Sequence, residues 1–214
     1  MNYWVPLGSV FFSMANFDYE AETRRELIEL LSPHFFCKEE VMLENALFVR
    51  RVRADVIASP KESKYSGLTF AFEVKVPKQN WELKNWLHAT KQASDYVWGQ
   101  IVDETSVFAS RRVNAAFVYP GPNLLAWAND NFKNERFFRD YDVQPLRGVF
   151  DLALHFRVGT ARLSAARSSS LELKFSTNRI WSAQNGFSVH ADNLLMGPQR
   201  LGSASVSRDH LRQI

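Results

Sequence analysis

Residues Leu68–Val76 read L-T-F-A-F-E-V-K-V. Leu68, Phe70, Phe72, Val74 and Val76 alternate with Thr69, Ala71, Glu73 and Lys75, a period of two that predicts a strand with one buried face. Glu73 and Lys75 then point the same way. A carboxylate beside an ammonium at the polar edge of an apolar strand suits the handling of a metal ion and a phosphate; it suits a surface ion pair equally well. The E-x-K pattern is cheap and recurs at Glu82 with Lys84 and at Glu172 with Lys174. The first of these lies in a predicted helix, where residues two apart do not face each other. The second, in S-L-E-L-K-F-S, is strand-like and stands as a rival, so context must decide.

Upstream of this stretch, S-P-K-E-S-K-Y-S-G over Ser59–Gly67 is a turn-forming connection. Before it, Leu47–Ala58 reads as extended, with Val52, Ala54, Val56 and Ala58 alternating with Arg51, Arg53, Asp55 and Ile57. Asp55 is thus a carboxylate inside an apolar strand, and a half-buried acid requires a cation, a metal or a set of donors. Arg51 and Arg53 are the plain ion-pair partners. The Ser59–Gly67 connection is expected to join the two strands as an antiparallel pair, which brings Asp55 and Glu73 within range of one ion. Residues 35–46 admit either a short helix or an irregular link. Asp18–Leu31 reads as a helix with acidic residues in its first turn and Ser32-Pro33 at its end. Leu27, Ile28, Leu30 and Leu31 form its core stripe, which Tyr19 and Thr23 extend; Glu20, Glu22, Glu26 and Glu29 fall on or beside its polar side.

Downstream, Pro77 ends the strand and Trp81–Gly99 reads as a long helix stopped by Gly99. Trp86, Leu87, Thr90, Ala93, Ser94 and Val97 mark its packed side, whereas Lys84, His88, Gln92 and Tyr96 recur every four residues as a polar stripe. Gln92 and Tyr96 then aim together at the strand's polar edge. Val113–Tyr119 is a short apolar run typical of a covered central strand. Beyond it, Asn123–Tyr141 reads as an aromatic-rich helix, Val149–Val158 as strand-like, and Arg162–Phe175 as an extended pair.

With 214 residues, 46% hydrophobic and 23% charged, the chain has the composition of a soluble globular domain and not of a disordered one. Net charge is +3, and residues 151–214 hold eight Lys/Arg against four Asp/Glu, so the basic character sits late in the chain. Cys37 is the only cysteine, which excludes an intrachain disulfide and a thiolate zinc cluster and fits a reducing, cytoplasmic setting. The opening M-N-Y-W-V-P-L-G-S-V-F-F-S-M-A lacks the Lys or Arg that precedes a signal-peptide core, and is expected to be a strand or core segment. No run reaches the length of a membrane span.

Glu20, Asp55, Glu73-Val74-Lys75 and Gln92-Ala93-Ser94-Asp95-Tyr96, taken together, resemble the PD-(D/E)XK nuclease superfamily. E-A-E-T-R-R-E-L-I-E-L-L is similar to the E-x-x-T-R-x-x-L-I helix that opens the nuclease domain of type I restriction enzyme motor subunits. R-A-D-V-I-A, F-E-V-K and Q-A-S-D-Y follow in the order of that domain's R-A-D, E-x-K and Q-x-x-x-Y blocks. Ala54 stands where the motif name has proline, and no helicase motor follows. The resemblance covers about residues 18–120. It implies an α/β fold with a central mixed sheet flanked by helices, restriction-endonuclease-like, with a nuclease-like core over 1–120. Residues 121–214 are expected to complete the domain and to serve substrate binding or oligomerisation. Asp151 with Glu172 and Lys174 also spells D…E-x-K, but no helix bearing Gln and Tyr follows it.

The resemblance further implies Mg²⁺- or Mn²⁺-dependent hydrolysis of phosphodiester bonds in DNA. Asp55, Glu73 and the Val74 carbonyl would hold the ion, Lys75 would orient the attacking water, and Glu20, or Glu22 one offset away, would bind a metal-bound water. Gln92 and Tyr96 would position the phosphate backbone or support the metal shell. Oxygen ligands point to Mg²⁺ or Mn²⁺ and away from zinc. Lys84, Lys91, Arg111, Arg112 and the basic tail are candidate phosphate contacts, and Trp81 or Trp86 a candidate stacking platform. Two alternatives compete: a nuclease-like module that binds DNA or protein without catalysis, and a carboxylate-pair glycoside hydrolase, for which Lys75 is an odd companion.

Overall fold

The computed structural model describes residues 19–45, 50–76, 83–102, 107–121, 157–163, 170–175 and 178–195, without the side chains of 83–87. These residues form an α/β structure: a nine-stranded mixed sheet with helices packed against it. In chain order the elements are α1 (Tyr19–Leu31), β1 (Phe35–Asn45), β2 (Arg50–Pro60), β3 (Phe70–Val74), α2 (Leu83–Val97), β4 (Gly99–Ile101), β5 (Ala115–Tyr119), β6 (Val158–Leu163), β7 (Leu171–Phe175), β8 (Asn178–Ser182), β9 (Gly186–Phe187) and α3 (Val189–Leu195). The sheet order is β4-β1-β2-β3-β5-β6-β7-β8-β9. Only the β3–β5 and β5–β6 pairs are parallel; all others run antiparallel. No described helix is long and apolar enough to cross a membrane.

The alternation in Leu68–Val76 does mark a strand, but both of its faces are covered. Phe70, Phe72 and Val74 enter a core with Leu27 and Leu31 of α1, Phe117, and Trp181. Ala71 lies in a second core on the opposite face, with Ala89, Ala93 and Tyr96 of α2. The supposedly polar face is therefore the floor beneath α2, and Glu73 is only 1% exposed. In this strand the period-two pattern specifies which residues share a face; it does not say whether a helix lies over the weaker one.

Residues 35–45, left open in the sequence, are an 11-residue strand pairing with both β2 and β4. The Lys38-Glu39-Glu40 run hides its alternation, because the strand turns over there. Phe35 and Cys37 pack on the α1 side, whereas Val41 and Leu43 pack on the α2 side, although all four have the same parity. β2 turns over opposite: Ala54 belongs to the α2-side core and Val56 to the α1-side core. The register is the same on either side, Glu39 facing Val56 and Val41 facing Ala54. Glu40 takes the turn-over with φ 51°, a left-handed conformation uncommon for a non-glycine residue. Asp55 sits at the matching step of β2.

Three smaller expectations change. Tyr19 does not extend the α1 stripe, being 60% exposed. Gly99 does not merely stop α2; it begins β4, and a Cβ there would lie 2.9 Å from that of Leu43 in β1. The polar stripe of α2 divides, with His88 exposed and Tyr96 in the core, because the helix lies flat on the sheet. The side chains of Lys84, Trp86 and Leu87, together with Trp81, the chain start, Asp151, the Asn123–Tyr141 helix and the tail after 195, lie outside the described residues. The short run before Pro120 is a covered central strand, every residue of β5 being buried.

Candidate functional site

β2 and β3 pair from Ala58–Phe70 to Val56–Phe72, and there the ladder stops. The next inward N–H of β3, that of Val74, donates to Asp55 Oδ2 at 2.7 Å. A side chain has replaced the backbone partner, and it holds the Asp55 carboxylate at the strand ends beside Glu73. On its far side β3 continues with β5, Lys75 N–H donating to the Tyr119 carbonyl at 2.7 Å. The end of β3 is thereby fixed from both sides.

Glu73 projects toward α2. Tyr96 donates its hydroxyl to Glu73 Oε2, and the same hydroxyl oxygen lies 3.0 Å from the Arg53 carbonyl. Lys75 Nζ pairs with Glu73 Oε1 while its side chain keeps 27% exposure. One buried carboxylate thus has a phenol on one oxygen and an ammonium that reaches water on the other. The C-terminal turn of α2 is held in place by Asp95, whose carbonyl accepts from Asn45 at 3.0 Å and whose carboxylate pairs with Arg50 and Lys91.

Electrostatics follow from this crowding. Burial first, and then the Glu73 charge, push the Asp55 carboxyl up to about 6; the Val74 N–H opposes this, Glu20 adds to it and Lys75 opposes it. Burial, followed by the Glu73 charge, raises the Tyr96 phenol above its ordinary range, so it stays a proton donor. Two carboxylates with their charges this close are a standing repulsion that a bound cation would relieve.

Asp55, Glu73, Val74, Lys75 and Tyr96 are therefore brought together. Glu20 approaches on α1: it is half-buried and its charge is felt at Asp55, whereas Glu22 is exposed. Gln92 is half-buried under α2 with its Oε1 buried and undonated among the described residues, and no hydrogen bond joins it to the carboxylates. Sequence reasoning missed Glu26 as a neighbour of Tyr119: burial first, and then the Glu26 charge, raise the Tyr119 phenol above its ordinary range. It also missed the Arg53 carbonyl as the second partner of Tyr96, since backbone acceptors leave no mark in residue type.

Among the described residues no three His, Cys, Asp or Glu side chains form a ready-made metal cage. The donor set fits a hydrated Mg²⁺ or Mn²⁺ nonetheless. Such an ion takes one or two carboxylates and keeps several waters. Asp55 Oδ2 is occupied by the Val74 N–H, and Asp55 Oδ1 has no protein donor among the described residues. The rival triplet is built differently: Glu172 faces Lys174 at 3.0 Å, Arg179 at 3.6 Å and Arg162 at 4.0 Å. One carboxylate among three cations repels a metal ion.

A scan against protein-family models and searches of curated proteins and solved structures give no match to this chain.

Proposed function

We propose that this chain is a divalent-metal-dependent phosphodiesterase. The particular reading is a deoxyribonuclease of the PD-(D/E)XK type, with a restriction-endonuclease-like core. The observation that carries it is the Val74 N–H to Asp55 bond at the end of the β2–β3 ladder. It draws the aspartate of one block to the glutamate and lysine of the next, while the tyrosine of a third block closes on the same glutamate. A surface ion pair between Glu73 and Lys75 alone would not need Glu73 buried, nor a second carboxylate at hand.

Asp55, Glu73 and the Val74 carbonyl would hold the ion, which when bound supplies electrostatic stabilisation of the phosphate charge and lowers the pKa of a water. Tyr96 keeps Glu73 oriented by donating to Oε2. Lys75, paired with Glu73 and partly exposed, would orient the attacking water and bear on the scissile phosphate. Glu20 reaches the site from α1 and would order a water on the outer side of Asp55. Gln92, half-buried on α2, would position the phosphate backbone or support the metal shell.

The test is hydrolysis of plasmid and linear DNA with Mg²⁺ or Mn²⁺ by wild type, Asp55→Ala and Lys75→Ala. Cleavage lost in both variants supports the proposal, and equal cleavage by all three proteins defeats it. Titration calorimetry of metal-free protein with Mn²⁺ separates the alternative: no metal binding together with salt-sensitive DNA affinity means a nuclease-like binding module.

A further inference from the structure

The rival E-x-K strand has a use that the catalytic proposal leaves unassigned. Partners across a sheet share a face, so the registers trace one row: Glu73 on β3 faces Val118 on β5, which faces Thr160 on β6, then Lys174 on β7 and Arg179 on β8. Arg162, two residues beyond Thr160, lies on the same face opposite Glu172. Lys75, Arg162, Lys174 and Arg179 are therefore a set of cations on the Glu73 face, running outward from the site. At the ~4.8 Å spacing of strands, Lys174 and Arg179 lie about 14 and 19 Å from Glu73, and Arg162, two residues further along β6, about 12 Å.

Glu172 does not neutralise them. Only Lys174 is within hydrogen-bonding reach of its carboxylate; Arg179 and Arg162 are 3.6 and 4.0 Å away. Arg162 Nε has no acceptor among the described residues. Arg162 and Arg179 keep 35% and 42% side-chain exposure, although the Nε of Arg162 is itself buried. Among the described residues, three cations on one acid leave a surplus of two positive charges on a sheet face that a structural ion pair would not require.

We infer that Arg162, Lys174 and Arg179 form a phosphate-binding track, which carries the nucleic-acid backbone away from the Glu73–Lys75 site across β6, β7 and β8. It rests on the proposed DNA substrate but not on cleavage. A reach of 14 to 19 Å corresponds to about four to six nucleotides of a stacked strand. Glu172 sets the strength of the track by holding Lys174 and diluting the charge.

The experiment is fluorescence anisotropy of a labelled 12-nucleotide DNA strand in EDTA at several salt concentrations, so that no cleavage occurs. Arg162→Gln and Arg179→Gln should each weaken binding about 3- to 10-fold and lower the slope of log affinity against log salt by about 0.7. Arg162→Lys should retain the wild-type slope, and Glu172→Gln should bind more tightly than wild type. The opposite signs of the arginine and glutamate variants separate charge from folding defects. Wild-type affinity in both arginine variants, or no binding by wild type, overturns the track. Because the assay runs in EDTA it reads the track without metal or cleavage, while hydrolysis in Mg²⁺ reads the nuclease proposal, so failure of the one and failure of the other are read separately.

Discussion

β3 and β7 carry the same three-residue pattern, glutamate, apolar residue, lysine, and in both the lysine closes on the glutamate. Their surroundings make them opposites. Glu73 is buried under α2, shares its site with a second carboxylate and has one cation near the solvent side. Glu172 stands on a less covered part of the sheet with three cations and no described carboxylate beside it. The first arrangement is short of positive charge and the second has an excess. A triplet is thus chemically mute until the neighbouring strands say which sign of charge surrounds it.

The contrast is broken most directly through Asp55 and Lys75. Replacing either by alanine should lower the cleavage rate by about 10²-fold or more, the cost of removing a preorganised charged group from a transition state. If both variants cut DNA at the wild-type rate, β3 is no more a reaction centre than β7.

Next in size is the support of Glu73. Tyr96→Phe removes the hydroxyl that serves Glu73 Oε2 and leaves a buried acceptor short of a donor, for about 1–3 kcal/mol of stability. Urea unfolding of the two proteins measures it, and an unchanged midpoint would mean that water replaces the phenol.

A pH series sharpens the comparison further. Asp55 has a folded pKa of about 6 against 3.8 for the free group. Between those values the folded state holds more protons than the unfolded chain, so stability is lost as pH rises through that window. Metal-free Asp55→Asn should therefore melt above wild type at pH 8 and level with it near pH 4. Mn²⁺ should raise the melting temperature of wild type at pH 8, do so less at pH 5, and leave Asp55→Asn nearly unmoved. Thermal melts at the two pH values check all of this, and equal melting of the two metal-free proteins at pH 8 would contradict the crowding of Asp55 and Glu73.

The smallest effect is expected on β7. Glu172→Gln should change stability by about 1 kcal/mol or less, as for other partly exposed ion clusters. A larger loss in urea unfolding would make the cluster a staple of the fold.

Much of the site was legible in sequence because its elements obey local rules. The strand over 68–76, the strand bearing Asp55, the turn between them and the helix bearing Tyr96 follow from periodicity and turn chemistry, and an antiparallel β2–β3 pair follows from their short connection. The offset of the acidic helix did not. Glu20 and Glu22 are equivalent in pattern, and only the packing of Leu27 and Leu31 turns one inward and leaves the other in water. β1 was hidden because a strand that turns over at Glu40 breaks its own alternation.

By itself the sequence determined which residues of the 68–76 strand share a face, where the chain turns, and that three acids, a lysine and a tyrosine occur in a spacing that resembles a nuclease. The tertiary structure decided what surrounds each of them. Whether a carboxylate meets a second carboxylate or three cations depends on which strands pair beside it and in what register, and side-chain alternation carries no information about them. Burial and the sign of neighbouring charge are properties of the assembled sheet, and they separate Glu73 from Glu172.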